Sequence, residues 1–544
     1  MTAVPADAGF EGADESPALP PAPARELRRL MKDWRTGRAT KNLLEAFHDA
    51  YIVVIAALMI GAMVVNVILK AQTVVASCNS TSCLSARAIL PWAAFALAVA
   101  AALAASRLFG PVLASAAEGS WLLDTPVSRP ALLGRRLVSA IVVGALGGAV
   151  IGALVSALTG SALQAVLIIT TATALSTAAA VAFAGAQQGK DRRRLTRFTT
   201  YVFTLLGIAA LMVVIGVAAD WFGSPLSTDL AREVGVVVGA VAAVGLVAGA
   251  ILARVRISRI QRARLVSGGS LIRGVSGAFF ALDIGLARDI LVARRAMEIG
   301  HVKPVAGRGS GLSALIWREL QRVRRFPQPL IVVAGTVIVP YAADALGMGV
   351  LGPVFGALAL FGALISMLGG LRVLTRSGGM ARSLPFSLSQ LKLASIAVPA
   401  GVAVLWAIAV TAAFRGFGSG VTQKPITEAS AMALATAAAG LLGAVRWTQA
   451  KGIDFGAPMV STQAGAIPPG MMTNLFRGFD VVLLVTFPML LGGSPLWSFA
   501  IAAIAAFVLL NSMDAESLRA RQAEQQKLLD QQKKEREALR QKKR

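Results

Sequence analysis

The chain alternates long apolar runs with short polar breaks, and the length of the runs sets the fold class. Runs near 51–69, 91–105, 138–158, 163–186, 201–219 and 234–253 fill the first half. Runs near 330–346, 350–371, 393–414, 430–445, 481–491 and 497–510 fill the second. Most approach the roughly 20 residues that a helix needs to cross a bilayer. Each half opens on an amphipathic stretch. In 25–35, Leu27, Leu30, Met31 and Trp34 fall at i, i+3, i+4 and i+7, with Arg28, Arg29, Lys32 and Arg35 opposite. In 316–326, Ile316, Leu320 and Val323 make one face and Arg318, Arg322 and Arg325 another; the triplet Arg-Glu-Leu recurs at 25–27 and 318–320. Basic amphipathic helices of this kind suit the cytoplasmic interface. The expected fold is therefore all-α: a polytopic membrane protein of about 12 transmembrane helices, arranged as a 6+6 internal repeat with interfacial elbow helices.

The same pattern divides the chain. Residues 1–24, made of Pro, Ala and acidic residues without apolar periodicity, read as a disordered tail. No basic segment followed by an apolar core occurs there, so no cleaved signal peptide is expected. Residues 25–253 form a first membrane unit, 254–311 a cytoplasmic linker, 312–512 a second membrane unit, and 513–544 a charged helical tail.

Composition supports the membrane class. The chain is 56% hydrophobic and 15% charged, whereas a soluble globular chain carries about a quarter charged residues. The net charge of +25 would suggest nucleic acid if the basic residues formed a patch on a soluble domain. They fall instead between the apolar runs, as Lys and Arg do in cytoplasmic loops. Arg107, Arg129, Arg135 and Arg136 bracket the break after the second run; 187–194 and 254–325 are also strongly basic. Followed along the chain, this alternation places both termini in the cytoplasm of a plasma (inner) membrane protein. The lipid bilayer is then a partner and nucleic acid is not.

Catalytic chemistry is sparse. His48 and His301 lie apart, without Cys, Asp or Glu clustered around them, and neither a zinc-protease pattern nor a Walker loop occurs. No enzyme activity, cofactor or metal is expected, and the chain cannot hydrolyse ATP alone. Ion-coupled carriers need ionisable residues near the midplane, whereas Asp344 and Asp480 fall at the ends of runs. The runs carry small residues instead: Gly144, Gly147, Gly148 and Gly152 in one, Thr170, Thr171, Thr173, Ser176 and Thr177 in the next. These read as close helix packing, with a substrate-lining surface as the alternative. Cys78 and Cys83 are too few for a structural zinc site; a disulfide, if their loop faces an oxidising compartment, or two free thiols remain open.

One polar break stands out. Glu118-Gly-Ser-Trp-Leu-Leu-Asp-Thr-Pro-Val-Ser-Arg129 sets apolar residues beside a Pro turn between two spans, and Arg382-Ser-Leu-Pro-Phe-Ser-Leu-Ser-Gln-Leu-Lys392 echoes it in the second half. With an elbow helix and two spans before it and four spans after, this break resembles the permease subunit of ABC-type exporters of the drug- and polysaccharide-export class. The residues that carry the resemblance are Glu118, Leu122, Leu123, Thr125, Pro126, Val127, Ser128 and Arg129. In that family the loop is a coupling helix that fits a groove on the ATPase. The resemblance implies a cytoplasmic ATP-binding subunit as partner, an unknown exported substrate, and docking through Glu118, Trp121, Leu122, Leu123, Thr125, Pro126, Ser128 and Arg129. The second copy keeps only Leu384, Pro385, Phe386 and Ser387, without the acidic residue. Family permeases usually have six spans, so this chain looks like two such units fused. Two alternatives stand beside it. One is a major-facilitator carrier, against which Asp124 and Gly134-Arg-Arg136 have the wrong spacing. The other is a membrane scaffold or regulatory protein that moves no substrate.

Overall fold

The computed structural model describes residues 81–511, apart from gaps at 124–127, 191–192, 219–227, 281–283, 303, 346–347, 417–422, 451–459, 463–464 and 468–475, together with scattered positions between 26 and 69 and at 526. The two expected tails and the first amphipathic stretch fall almost wholly outside the described residues. Of the first expected span, 51–69, the described positions are helical.

The chain divides into two compact units. Leu90–Ala209 and Leu226–Arg273 make up most of the first, and Gly274 begins most of the second. The expected linker 254–311 is therefore shared between them. It is also largely helical, and its first part supplies core residues to the first unit: Ile257, Ile260 and Leu265 are at most 1% exposed.

The first unit contains most of α1 (Thr81–Phe109), α2 (Ala116–Trp121), α3 (Arg129–Leu158), α4 (Leu163–Gln188), most of α5 (Arg193–Ala218), α6 (Thr228–Arg256), a 3-10 turn Ile257–Arg259 and most of α7 (Arg262–Phe280). Helix α4 is its centre and packs along both α3 and α6. The small-residue stripes explain why. A Cβ on Gly148 would lie 2.1 Å from Thr177 Oγ1, and one on Gly152 3.1 Å from the Thr170 Cα. Thr177 Oγ1 also donates to the Gly144 carbonyl at 2.8 Å. Gly144, Gly148 and Gly152 recur every four residues and let α3 lie against the threonine face of α4, as small residues do between helices in lipid. Close packing accounts for these positions. Gly147, off the stripe, has open space around it.

The second unit contains α8 (Ile284–Ile299), α9 (Leu312–Arg325), α10 (Gln328–Thr336), α11 (Ile338–Ala345), α12 (Gly352–Ile365), α13 (Gly369–Arg376), α14 (Gly378–Arg382), α15 (Leu388–Arg415), α16 (Ile426–Thr448), a hairpin of β1 (Val460–Thr462) and β2 (Gly465–Ile467), α17 (Phe479–Leu490) and α18 (Pro495–Asn511). The hairpin, with Val460 opposite Ile467, is the one departure from an all-helical fold among the described residues. Helix α16 is the hub here, packing on α12, α15, α17 and α18 around a core that includes Leu360, Leu364, Trp406, Val410 and Val482.

The chain is a helical, membrane-embedded protein, but the count of spans differs from the expected 12. Among the described residues, seven helices are long and apolar enough to cross a membrane, or up to nine if each of two bent pairs is one span. One expected span, 51–69, lies partly outside the described residues; the rest of the difference falls in the second half, where helices bend or run short. Leu312–Arg325 meets Gln328–Asp344 at 82°, and Gly349–Ile365 meets Gly369–Arg376 at 66°. Helices α17 and α18 have only 12 and 17 residues. At 1.5 Å per residue, 17 residues reach about 25 Å, short of a typical hydrocarbon core.

The 82° bend turns α9 away from the apolar helix that follows, as expected of an elbow. Its faces differ from the expected ones in detail. Val323 is buried with Glu319, while Ile316 and Leu320 stay exposed. On a 3.6-residue helix Glu319 and Val323 lie about 60° and 20° to one side of Ile316 and Leu320 about 40° to the other, so the buried face is rotated toward Glu319.

Candidate functional site

The break after α1 is built from 110–129. Gly110, at φ +87°, turns the chain out of α1. The next residues leave the helix through bends at Pro111 and Val112, and other segments of the first unit bond their backbone. Gln188, at the end of α4, accepts from the Val112 amide (3.2 Å) and donates to the Val112 carbonyl (3.1 Å). The Ala114 amide donates to the Leu265 carbonyl at 3.1 Å. Helix α7 approaches this loop so closely that side chains are excluded: a Cβ on Gly268 would stand 2.1 Å from the Phe109 carbonyl oxygen, and one on Gly269 2.0 Å from that of Ala114.

A capping box then starts α2. Ser115 Oγ accepts from the Glu118 amide (3.1 Å), and Glu118 Oε2 accepts from the Ser115 amide (2.8 Å). This reciprocal arrangement satisfies two otherwise orphaned amides at a helix start. The other Glu118 oxygen pairs with Arg136 on α3, whose Nη1 donates to the Leu113 carbonyl at 2.7 Å. Burial pushes the Glu118 carboxyl up, but Arg136 and the bonds to Ser115 outweigh it and hold the group below its ordinary range.

The expected docking residues thus separate by role. Glu118 and Leu123 build the loop. Leu123 is 5% exposed and packs with Val112, Ile257, Ile260 and Leu265. Arg129 also fastens the loop, since its Nη1 donates to the carbonyls of Ser258 (3.2 Å) and Ile260 (3.3 Å). Ser128 is exposed at the N-cap of α3, with Pro130 in the first turn, where its missing N–H costs nothing. Leu122 is half-buried, and Trp121 is 77% exposed. The Trp121 indole is thus left in solvent at the end of α2, on a loop otherwise fastened on several sides. Thr125 and Pro126 lie outside the described residues. So does Cys78; Cys83 sits in the first turn of α1.

In the second unit the matching break holds α13, α14 and 383–387. Leu384 and Phe386 are half-buried and Pro385 and Ser387 exposed. Ser387 caps α15: its hydroxyl accepts from the Gln390 amide (3.3 Å) and Gln390 Oε1 from the Ser387 amide (3.0 Å). Pro385 is therefore the best-presented of these four, with no counterpart of Trp121 beside it. Among the described residues, no three His, Cys, Asp or Glu side chains gather where they could hold a metal ion.

Sequence reasoning missed Gln188, Gly268 and Gly269, which position the first loop, and read Arg136 only as a flanking charge. The paired glycines carried a signal, because a Gly-Gly step inside an otherwise helical stretch costs propensity and marks a close approach.

Residues 83–458 match a family described as "Family of unknown function (DUF6297)". The chain belongs to that family. The DUF6297 match begins in α1 and ends beyond α16, so both loops and most of both units lie within it. No curated protein and no solved structure matches the chain.

Proposed function

We propose that this DUF6297 protein is the membrane-spanning permease component of an ATP-driven export system, energised by a separate cytoplasmic ATPase that docks on the 118–129 and 382–392 loops. The observation that carries the proposal is Trp121, exposed on a loop held by a capping box, an ion pair, a glutamine clamp and a buried leucine. A coupling element must transmit motion, and a loop fastened to α3, α4 and α7 can do so where a slack one cannot. The elbow-like bend before α10 supports the same reading. In this proposal the twelve apolar runs are the spans of a 6+6 arrangement in the inner membrane with both termini cytoplasmic. The bent and short helices of the second half then cross with partners rather than alone.

Co-purification from native membranes tests it, with Trp121→Asp and Leu123→Asp as a contrasted pair. Wild type should bring down an ATPase. Trp121→Asp should keep wild-type thermal stability and lose most of the ATPase, since buried interface tryptophans contribute about 2 kcal/mol or more, roughly thirtyfold in affinity. Leu123→Asp should lower stability as well, because it places a carboxylate among apolar side chains. If wild type recovers no ATPase, the protein is not this permease, and a scaffold role takes precedence.

A further inference from the structure

The break between α12 and α13 in the second unit is a meeting point of arginines. Arg288 on α8 donates from Nη2 to the Ile365 carbonyl at 2.9 Å. Arg322 on α9 donates to the carbonyl of Met367. Both guanidiniums converge on the first residue of α13: Arg322 Nη1 and Arg288 Nη2 lie 2.9 and 4.0 Å from where a Cβ of Gly369 would be. Further along α13, Arg372 binds Asp289 through Nε (2.6 Å) and Nη2 (2.9 Å), and Arg376 reaches the same carboxylate at 2.7 Å. Glu319 is the second acid, held by Arg322 (2.8 Å) and Arg318 (3.2 Å).

Five arginines thus face two carboxylates, and the shortfall of negative charge has consequences. Arg372 is 4% exposed, yet its Nη1 has no hydrogen-bond partner. Burial pushes Arg288 down to about 10, and Arg372, Arg322 and Arg376 add to the fall against Asp289. Clustered like charges in a partly buried site are costly unless a counter-ion is supplied. One side is open, since Arg318, Arg322 and Arg376 keep 54%, 33% and 34% of their side-chain surface.

We propose that this cluster binds a phosphate group, supplied by the headgroup of an anionic phospholipid in the cytoplasmic leaflet. Guanidinium forks match phosphate oxygens in pairs, and basic pockets beside spans on the cytoplasmic side hold such headgroups. The inference rests on the membrane embedding and on the cytoplasmic assignment of 254–325, and is independent of any ATPase.

The test uses the full chain purified in detergent and titrated with phosphatidylglycerol, phosphatidylcholine or inorganic phosphate, reading binding and the thermal midpoint. Phosphatidylglycerol should bind and stabilise wild type, and phosphatidylcholine should not. Arg376→Gln and Arg318→Gln should each weaken phosphatidylglycerol about fivefold, from the roughly 1 kcal/mol that each basic residue contributes near an anionic surface. The second variant, half-exposed, guards against a folding defect in the first. Arg135→Gln, exposed in the first unit, should have no such effect. Equal affinity in wild type and both variants, or equal weakening by Arg135→Gln, overturns the site. If inorganic phosphate alone reproduces the stabilisation at matched concentration, the ligand is free phosphate and the lipid assignment falls.

Discussion

Asp289→Ala is expected to destabilise the purified protein by about 3 kcal/mol, toward the lower end of what stranding a buried charge costs. Arg372, with 5% of its side chain exposed, donates twice to Asp289, and the Arg372 guanidinium stacks 5.2 Å from the Trp447 ring centroid. Removing the carboxylate leaves a cation that cannot reach water. The lower end applies because Asp289 keeps 31% of its side-chain surface, so solvent already screens one side of the pair. Asp289→Asn should cost less, since one oxygen still accepts. Adding Arg372→Leu to Asp289→Ala should recover much of the loss, because an apolar pair of similar volume often does as well as a buried ion pair. Thermal unfolding of wild type, Asp289→Ala, Arg372→Leu and the double variant closes the cycle. A single alanine variant as stable as wild type would show that the pair does not hold the α8–α13 contact.

That pair also marks where sequence reading stopped. Asp289 and Arg372 are separated by 83 residues, with no local spacing to connect them. In sequence Arg372 looks like one more cytoplasmic-loop charge. Lys392 is similar: it reads as a charge at the edge of a loop, yet it is 4% exposed and donates to the Leu509 carbonyl at 3.0 Å. A charge count bears on the side of the membrane but says nothing of which helix end the charge caps. The same blindness explains the span count. A hydropathy window sees 350–371 as one run, whereas the helix bends there and Arg288 and Arg322 take the carbonyls of Ile365 and Met367 at the bend.

What could be read locally was read well. The recurring glycines of α3 and the threonines of α4 pointed to helix packing, and the contacts at Gly148 and Gly152 are of that kind. The amphipathic stretch at 316–326 is a helix that turns sharply into the next one. At the candidate site the pattern located the loop but not the division of labour within it. Glu118 and Leu123 count among the expected docking residues only through the family resemblance of the loop. Their partners, Arg136 and the 257–265 segment, come from elsewhere in the chain.

The strongest test of that division is Gly269→Ala, for which local propensity and tertiary contact predict opposite signs. In an exposed helix, replacing Gly by Ala stabilises by about 1 kcal/mol. Here the new Cβ would lie 2.0 Å from the Ala114 carbonyl oxygen, a backbone atom that no rotamer change can move. Either α7 or the 110–123 loop must shift by more than an ångström. Overpacking of this sort costs roughly 1–3 kcal/mol and sometimes more, on top of the lost propensity gain. The shift would also strain the bond from the Ala114 amide to the Leu265 carbonyl and the seat of Leu123, and so would move Trp121. Gly269→Ala should therefore lower the thermal midpoint and, in the same protein, weaken recruitment of an ATPase. Gly277→Ala, in the same helix with nothing within 4 Å of its Cβ position, should do neither. If both substitutions stabilise alike, α7 does not hold the loop, and the fastening on which the coupling proposal depends is absent.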